Sequence, residues 1–373
     1  MKFSTDHIIF SPKDIDLSKS PLKDIQEETY VLGTFNPGLS TLPNGNLIMM
    51  VRVAEALREP IKNGYVRQIR WSKEGFILDK FDKGDVDLKD PRKLILKKYR
   101  YSEIHALTSF SWILPVELTP DAAKVLEVHY DKIITADKTN QEYGIEDARV
   151  SLIEDVYYMT TCSVSSERHA TTLYTSNDGL NYESKGIVLD HGNKDMLLFE
   201  GKINDKFYAL TRPMGELYFT YPESSRYLPG PSINIGSSFD ALHWKPSDYP
   251  FIRRRKISLM NERVGGGTQP ILTRKGWLML YHGVETTENV VTYRTFWAML
   301  DKNNPHQIID GNYQEPLIEA NKDLTKNLED QVYIENIVFS TGIVENESHF
   351  IVASGELDLC CRITHIPKKQ FNL

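Results

Sequence analysis

Glu146, Asp147 and Arg149 fall together in the stretch Tyr143-Gly144-Ile145-Glu146-Asp147-Ala148-Arg149-Val150. Two carboxyl groups and a guanidinium at this spacing can transfer a proton or hold a charged ligand. The run that follows, Ser151 to Thr161, alternates like a strand, so the three charges stand at a strand mouth rather than along a solvated helix. A turn-stabilising ion pair between Asp147 and Arg149 is the plainer account of an isolated Glu-Asp-x-Arg. The chemical reading therefore depends on what the remaining residues bring to the same place.

The chain has 373 residues, enough for two ordinary domains or one large closed β architecture. Hydrophobic residues make up 40% and charged residues 25%, so a large core is available. Lys and Arg number 44 against 51 Asp and Glu, a net charge of −7, which argues against nucleic acid as a partner and makes any basic cluster local. Cys162, Cys360 and Cys361 have neither disulfide-framework nor metal-ligand spacing, and the vicinal pair is poorly suited to a bridge. Buried thiols and no metal site are expected. The start, Met1 to His7, lacks a signal-peptide core, and no apolar run approaches the ~20 residues that cross a bilayer. These features predict a soluble cytoplasmic protein with no membrane partner. A homo-oligomer is compatible with the sequence, which does not fix the oligomeric state.

The elements that would position the charges are short β-type runs separated by turns. Asn44-Gly45-Asn46 before Leu47 to Val53 is a hairpin signal. Val156 to Thr160, Lys206 to Leu210, Gly276 to Tyr281 and His349 to Ala353 are further strand candidates, rich in apolar and aromatic residues. Helical periodicity is confined to Asp121–Val128 and Leu324–Asp330. Ser72 to Phe76, Ser176 to Tyr182 and Ser237 to Trp244 resemble one Ser-led turn repeated, as in the outer hairpins of a propeller, although a sandwich uses similar turns. No linker interrupts the chain, so one domain is expected, with an insertion at about residues 86–137.

Polar residues cluster at the ends of these strands: Asn36, Arg52, Arg58, Lys194-Asp195, Arg212, Arg263 ahead of Gly265-Gly266-Gly267, His282, Tyr293 and Asp358. In a propeller, equivalent strand ends converge on the axis, so cations far apart in sequence can meet there. Taken singly, each charge reads better as a solvated surface group, and His282 and Tyr293 as satisfied core residues; the set is more persuasive than its members. The glycine run suits a backbone passing close to a ligand, or a flexible loop.

Across nearly its whole length the chain resembles glycoside hydrolase family 130, the β-mannoside phosphorylases and related mannosidases. The likeness is carried by Asn36-Pro37, Arg52-Val53, Gly144-Ile145-Glu146-Asp147-Ala148-Arg149, Lys194-Asp195, Lys202 to Tyr208, Thr211-Arg212-Pro213, the glycine run with Pro270-Ile271, Tyr281-His282-Gly283 and Asp358. It implies an all-β fold, a five-bladed β-propeller. It implies Asp147 as catalytic acid and Asn36, Arg52, Arg212, His282 and Asp358 as substrate-binding residues. Arg58, Lys194, Arg263 and Tyr293 match positions around the phosphate, with Arg67 and Arg70 close to Arg58 in sequence. Three departures stand out: Ala148 where Pro is usual, Glu200-Gly201 where Pro-Glu is common, and Arg263 where Lys is usual. Arg in place of Lys keeps the charge and adds a fork suited to phosphate oxygens. Gly201 lacks a carboxyl group that the family pattern would set near these cations.

Inverting cleavage of a β-mannoside needs an acid for the leaving oxygen and a nucleophile on the opposite face. Inorganic phosphate as co-substrate supplies the nucleophile in a phosphorylase, which then needs one carboxyl group and a cationic cradle, and no other cofactor. The resemblance thus implies phosphorolysis of β-mannooligosaccharides to α-mannose 1-phosphate. Lys194-Asp195 leans towards β-1,2 linkages. Two alternatives stay open: a β-mannosidase of the same fold, with Glu200, Glu262 or Glu335 as general base, and a non-catalytic glycan-binding propeller.

Overall fold

The computed structural model describes residues 3–87, 93–96, 104–215, 219–256, 258–288 and 290–373. Strands dominate it, and the helices among the described residues are short 3-10 turns. Leu47 to Val53 lies in the strand Leu47–Leu57, paired with Thr29–Thr41 across the turn at Gly45, whose φ of 86° favours glycine. The other strand candidates also fold as strands, because each is a short, mostly buried apolar run.

Five four-stranded antiparallel arrays form the framework. Sheet I contains Thr29–Thr41, Leu47–Leu57, Ser109–Leu118 and Val125–Val128. Sheet II contains Ile145–Ile153, Val156–Val164, His169–Ser176 and Glu183–Leu189. Sheet III contains Asn193–Leu198, Phe207–Pro213, Asn234–Ser238 and Lys245–Pro246. Sheet IV contains Arg263–Gly266, Trp277–Thr287, Val290–Leu300 and Ile308–Asn312, with Ile271–Leu272 added beside the second. Sheet V joins both ends of the chain, since Thr5–Phe10 pairs with Cys360–Pro367, followed by His349–Glu356 and Val338–Glu345. Buried Arg362 fastens this junction, donating to Asp6 at 2.7 and 2.8 Å and to Glu356 at 2.9 Å.

Separate apolar clusters fill the spaces between successive sheets. Met50 and Ile113 of sheet I meet Val150 and Met159 of sheet II. Leu173 meets Leu198 between sheets II and III, and Leu210 meets Met279 between III and IV. Leu280 meets Ile343 between IV and V, and Ile363 of sheet V packs with Val51 and Trp112 of sheet I. Every sheet thus buries both faces.

Two expectations need correction. Asp121–Val128 is not helical: residues 119–124 form a turn, and Val125–Val128 pairs with Ser109–Leu118. The stretch 86–137 is also not wholly an insertion, because Ser109–Leu118 is a central strand of sheet I; its almost unbroken apolar run suits a strand buried on both faces. What is inserted before it are two small sheets, one of Ile61–Lys62, Tyr65–Ser72 and Gly75–Asp82, the other of Val86–Asp87, Lys93–Leu96 and Ile104–Leu107. Residues 88–92 and 97–103 of that stretch lie outside the described residues. Leu324–Asp330 is covered by 3-10 turns at Lys322–Leu324 and Lys326–Gln331.

The Ser-led turns are a true repeat in sheets II and III. Ser176 bonds Asp178, and Ser238 bonds Asp240, while each aspartate accepts two backbone N–H groups of its turn. Ser72 instead closes a hairpin of the first small sheet by donating to the Gly75 carbonyl.

Candidate active site

One edge strand from each sheet contributes to a shared cavity: Thr29–Thr41, Ile145–Ile153, Asn193–Leu198, Arg263–Gly266 and Val338–Glu345. In three of them the ladder slips at the same level, between Phe35 and Gly38, Glu146 and Arg149, and Lys194 and Leu197. A polar residue occupies each slip with a left-handed backbone: Asn36 at φ 50°, Asp147 at 52° and Asp195 at 55°. Asn and Asp tolerate this region better than other side-chain-bearing residues, at a cost of roughly 1–3 kcal/mol each. The bulge re-aims the side chain out of the strand's alternation. Asp358, at φ 50° between the last two strands of sheet V, faces the same cavity.

Charges in the cavity, of about 780 Å³, are paired closely. Arg52 donates to Asp147 at 3.0 Å and Glu146 at 2.8 Å, and Asn36 donates to the same Asp147 oxygen at 2.9 Å. Lys194 donates to Glu146 at 2.8 Å. Asp195 lies 3.1 Å from the Arg212 guanidinium and 3.7 Å from each of Arg149 and His282. Arg149 donates to the backbone carbonyls of Asp147 and Gly267, so it orients the bulge instead of pairing with the Asp147 carboxylate. Arg263 donates to the Tyr293 hydroxyl at 3.2 Å, and the Tyr293 ring stacks on His282 with centroids 6.0 Å apart.

Burial opposes ionisation of Glu146, but Arg52 and Lys194 hold its carboxyl down to about 2. Burial likewise opposes charge on Asp147, and Arg52 outweighs it, so this carboxyl too lies below its ordinary value. His282 is pushed well below the usual histidine range by burial and then by Arg212 and Arg149, which keeps it neutral.

Nine of the ten residues expected at the site line this cavity: Asn36, Arg52, Asp147, Lys194, Arg212, Arg263, His282, Tyr293 and Asp358. Arg58 does not. Its half-exposed side chain lies 3.6 Å from Glu28 and over the Tyr30 ring, because it follows the strand Leu47–Leu57 at the end that leads into the first small sheet. Arg67 and Arg70 are also turned away, held by Glu27 and Asp79. Arg168, His169, Lys93 and His105 line the cavity without having been singled out. Asp195 was named only as the neighbour of Lys194, although it shares with Asp147 the signal of an acidic residue just inside a strand.

The glycine run serves packing. A side chain at Gly265 would strike Asp195 and His282, and one at Gly267 would meet the Leu280 and Ser340 carbonyls at 2.9 and 3.0 Å. Glu200-Gly201 lies beyond the opposite end of the strand that carries Lys194, so a missing carboxyl at 201 takes nothing from the cavity. Among the described residues, Glu117, Glu127 and His129 are the one group close enough to share a metal ion, and none of them lines the cavity.

An all-β framework whose strand ends gather Glu146, Asp147, Asp195 and Asp358 with Arg52, Lys194, Arg212 and Arg263 in one cavity makes a site able to move a proton and to hold charged ligands. A profile described as beta-1,4-mannooligosaccharide phosphorylase matches residues 101–372, and the chain belongs to glycoside hydrolase family 130. It is an enzyme of the glycoside phosphorylase class. It is 32% identical over 345 residues to a beta-1,2-mannobiose phosphorylase of Listeria innocua, covering 87% of this chain and 86% of the relative. A 1,2-beta-oligomannan phosphorylase of Thermoanaerobacter is 32% identical over 244 residues, 64% of this chain and 74% of that one. The crystal structure of the Listeria innocua beta-1,2-mannobiose phosphorylase with beta-1,2-mannobiose superposes with a TM-score of 0.81, 27% identity and 98% coverage of both chains. No helix among the described residues is long and apolar enough to cross a membrane.

Proposed function

We propose that the chain is an inverting β-mannoside phosphorylase, releasing α-mannose 1-phosphate from β-1,2-linked mannooligosaccharides, on a five-bladed propeller formed by sheets I to V. The pairing of the N-terminal strand into sheet V and the five inter-sheet clusters support the propeller. The names of the two relatives at 32% identity support the linkage. The observation that carries the reading is one cavity holding Asp147 together with Lys194, Arg263 and Tyr293, while Glu200, Glu262 and Glu335 all lie outside it. Glu200 bonds Gln269, Glu262 is exposed and Glu335 pairs with Lys322. The three glutamates offered as general base for a water-using mannosidase are therefore elsewhere, and two carboxylates that do line the cavity, Glu146 and Asp195, are held by Arg52 and Lys194 and by Arg212.

In this reading Asn36, Arg52, Arg212, His282 and Asp358 hold the mannosyl unit. Lys194, Arg263 and Tyr293 hold phosphate, with Arg168 in place of Arg58. A hydrogen-phosphate oxygen attacks the anomeric carbon as the glycosidic bond breaks, and the Asp147 proton passes to the leaving oxygen. The proton carried in by phosphate then restores Asp147. Cations, Arg52 first and then Arg149 and Lys194, hold the free Asp147 ionised, so it must gain its proton on ligand binding; a bound dianion beside Lys194 offsets part of that charge and raises it. This makes the acid ready only when the nucleophile is present. Incubating the protein with β-1,2-mannobiose, with and without phosphate, tests the proposal. Phosphate-dependent sugar phosphate is expected; free mannose released without phosphate would favour a mannosidase, and no turnover a binding protein. The three buried free cysteines are consistent with a cytoplasmic enzyme.

A further inference from the structure

A second cavity, also of about 780 Å³, shares no lining residue with the active site. Arg255, Lys256 and Asn261 line one side of it, and Asn312, Tyr313 and Gln314, at the end of the strand Ile308–Asn312, another. A smaller cavity of about 290 Å³ adjoins it, and Arg255 and Tyr313 belong to both. The Arg255 guanidinium stands 5.5 Å from the centre of the Tyr313 ring. In the smaller cavity the Tyr227 ring has Arg253 5.1 Å from its centre and Arg226 at 4.8 Å.

Two features set the chemistry of a ligand here. First, the charge is mainly positive: among the described residues, Arg226, Arg253, Arg255 and Lys256 have no carboxylate within ion-pair distance, on a chain whose net charge is −7, and the carboxylate in the lining, Glu285, is paired with Arg294 at 2.7 Å. Second, the lining donates. The side-chain oxygens of Asn261 and Asn312 are held by backbone N–H groups, so their NH₂ groups are the donors they can offer. A ligand rich in acceptors and carrying negative charge matches this, and the Tyr313 ring, which borders both cavities, suits the C–H face of a pyranose. The volume of the larger cavity lies within the range of small-molecule sites, roughly 300–1,000 Å³.

We propose that this groove is a second, non-catalytic site for a phosphate-bearing saccharide. The choice of mannose 1-phosphate as probe rests on the function proposed above; the site itself rests on the groove. Calorimetric titration of the whole protein with mannose 1-phosphate is expected to give two binding events, one at the active site and a second that Arg255→Gln and Tyr313→Ala each weaken tenfold or more. Both variants should keep wild-type phosphorolysis, since neither residue lines the active site. Neutral β-1,2-mannobiose and inorganic phosphate should each bind the groove at least tenfold more weakly than the ester. A titration in which no event beyond active-site binding is seen, or in which both variants leave every event unchanged, overturns the proposal. So does equal groove binding by inorganic phosphate, which makes it a simple anion site, or by mannobiose, which makes it a neutral sugar site. A changed sedimentation coefficient in Arg255→Gln, with saccharide binding intact, marks an interface between copies and equally overturns it. If the groove binds the ester while the protein never shows phosphate-dependent cleavage, the function proposed above fails and this inference stands.

Discussion

At one end of the edge strands lie Glu146, Asp147 and Asp195, each beside arginine or lysine; beyond the other end lies Glu200, whose bonded partner is the carboxamide of Gln269. Gln269 also donates to the Leu39 and Ile343 carbonyls at 3.2 and 2.8 Å, so it ties three strand ends together away from the cavity. Burial raises Glu200 to about 7 with only that one hydrogen bond opposing it, whereas cations overcome the same penalty at Glu146 and hold it at about 2. Two glutamates in one fold thus differ because of what faces them, not because of depth. Paired charge at the cavity end suits a site that must take in an anion, and a carboxyl that keeps its proton up to about pH 7 suits a seam between sheets.

The largest effect is expected at the cavity end. Asp147→Asn keeps the shape and the hydrogen bond to Asn36 but removes the transferable proton, so turnover should fall about 100-fold or more. Mannoside binding measured in the same variant should persist. Turnover near the parent's would remove Asp147 from the chemistry and leave the paired end a binding site only.

Arg263→Ala should come next. A charge-assisted hydrogen bond contributes about 1.5–3 kcal/mol, so the phosphate KM should rise about tenfold or more. The mannoside KM should change far less. Equal rises in both would place Arg263 on the sugar, or on the Tyr293 stack.

Glu200→Gln probes the far end, where the expected change is in stability rather than rate. The folded carboxyl titrates near 7 and the unfolded one near 4, so between these values the native state holds the extra proton, and stability falls as pH rises. The glutamine variant escapes this loss. It should be more stable than the parent by on the order of 1–3 kcal/mol at pH 8, and about equal to it at pH 4. Denaturant unfolding at the two pH values checks this, with kcat expected to be unchanged. A variant equally stable or weaker at pH 8 would mean that Glu200 finds a cation in solution, and the contrast between the two ends would collapse.

The sequence carried the paired end better than the framework around it. Asn36, Arg52, Asp147, Lys194 and Arg212 are legible because polar residues stand at the ends of otherwise apolar strands, a local signal. Asp195 carries that signal too, yet the Arg212 and His282 that explain it arrive from other strands. Ser109–Leu118 was misplaced because a strand buried on both faces has no alternation to display. Arg168 and His169 escaped because the cavity they share with Lys194 depends on how sheets II and III pack, which no spacing records.

Arg58 gives the smallest expected effect and fixes where the paired end stops. Its side chain is 55% exposed and its ion pair with Glu28 is long, at 3.6 Å, so the pair contributes about 0–1 kcal/mol at most. Arg58→Ala should therefore leave both KM values within about twofold of the parent. Arg168 lines the same cavity as Lys194, and its ion pair, with Asp190, is long at 4.0 Å. Arg168→Ala should raise the phosphate KM several-fold, because a cation so loosely paired is available to the incoming anion. Steady-state kinetics on the two variants with phosphate varied decides between them. If Arg58→Ala carries the larger rise, Arg58 must swing into the cavity when phosphate binds, and the paired end extends to the first small sheet.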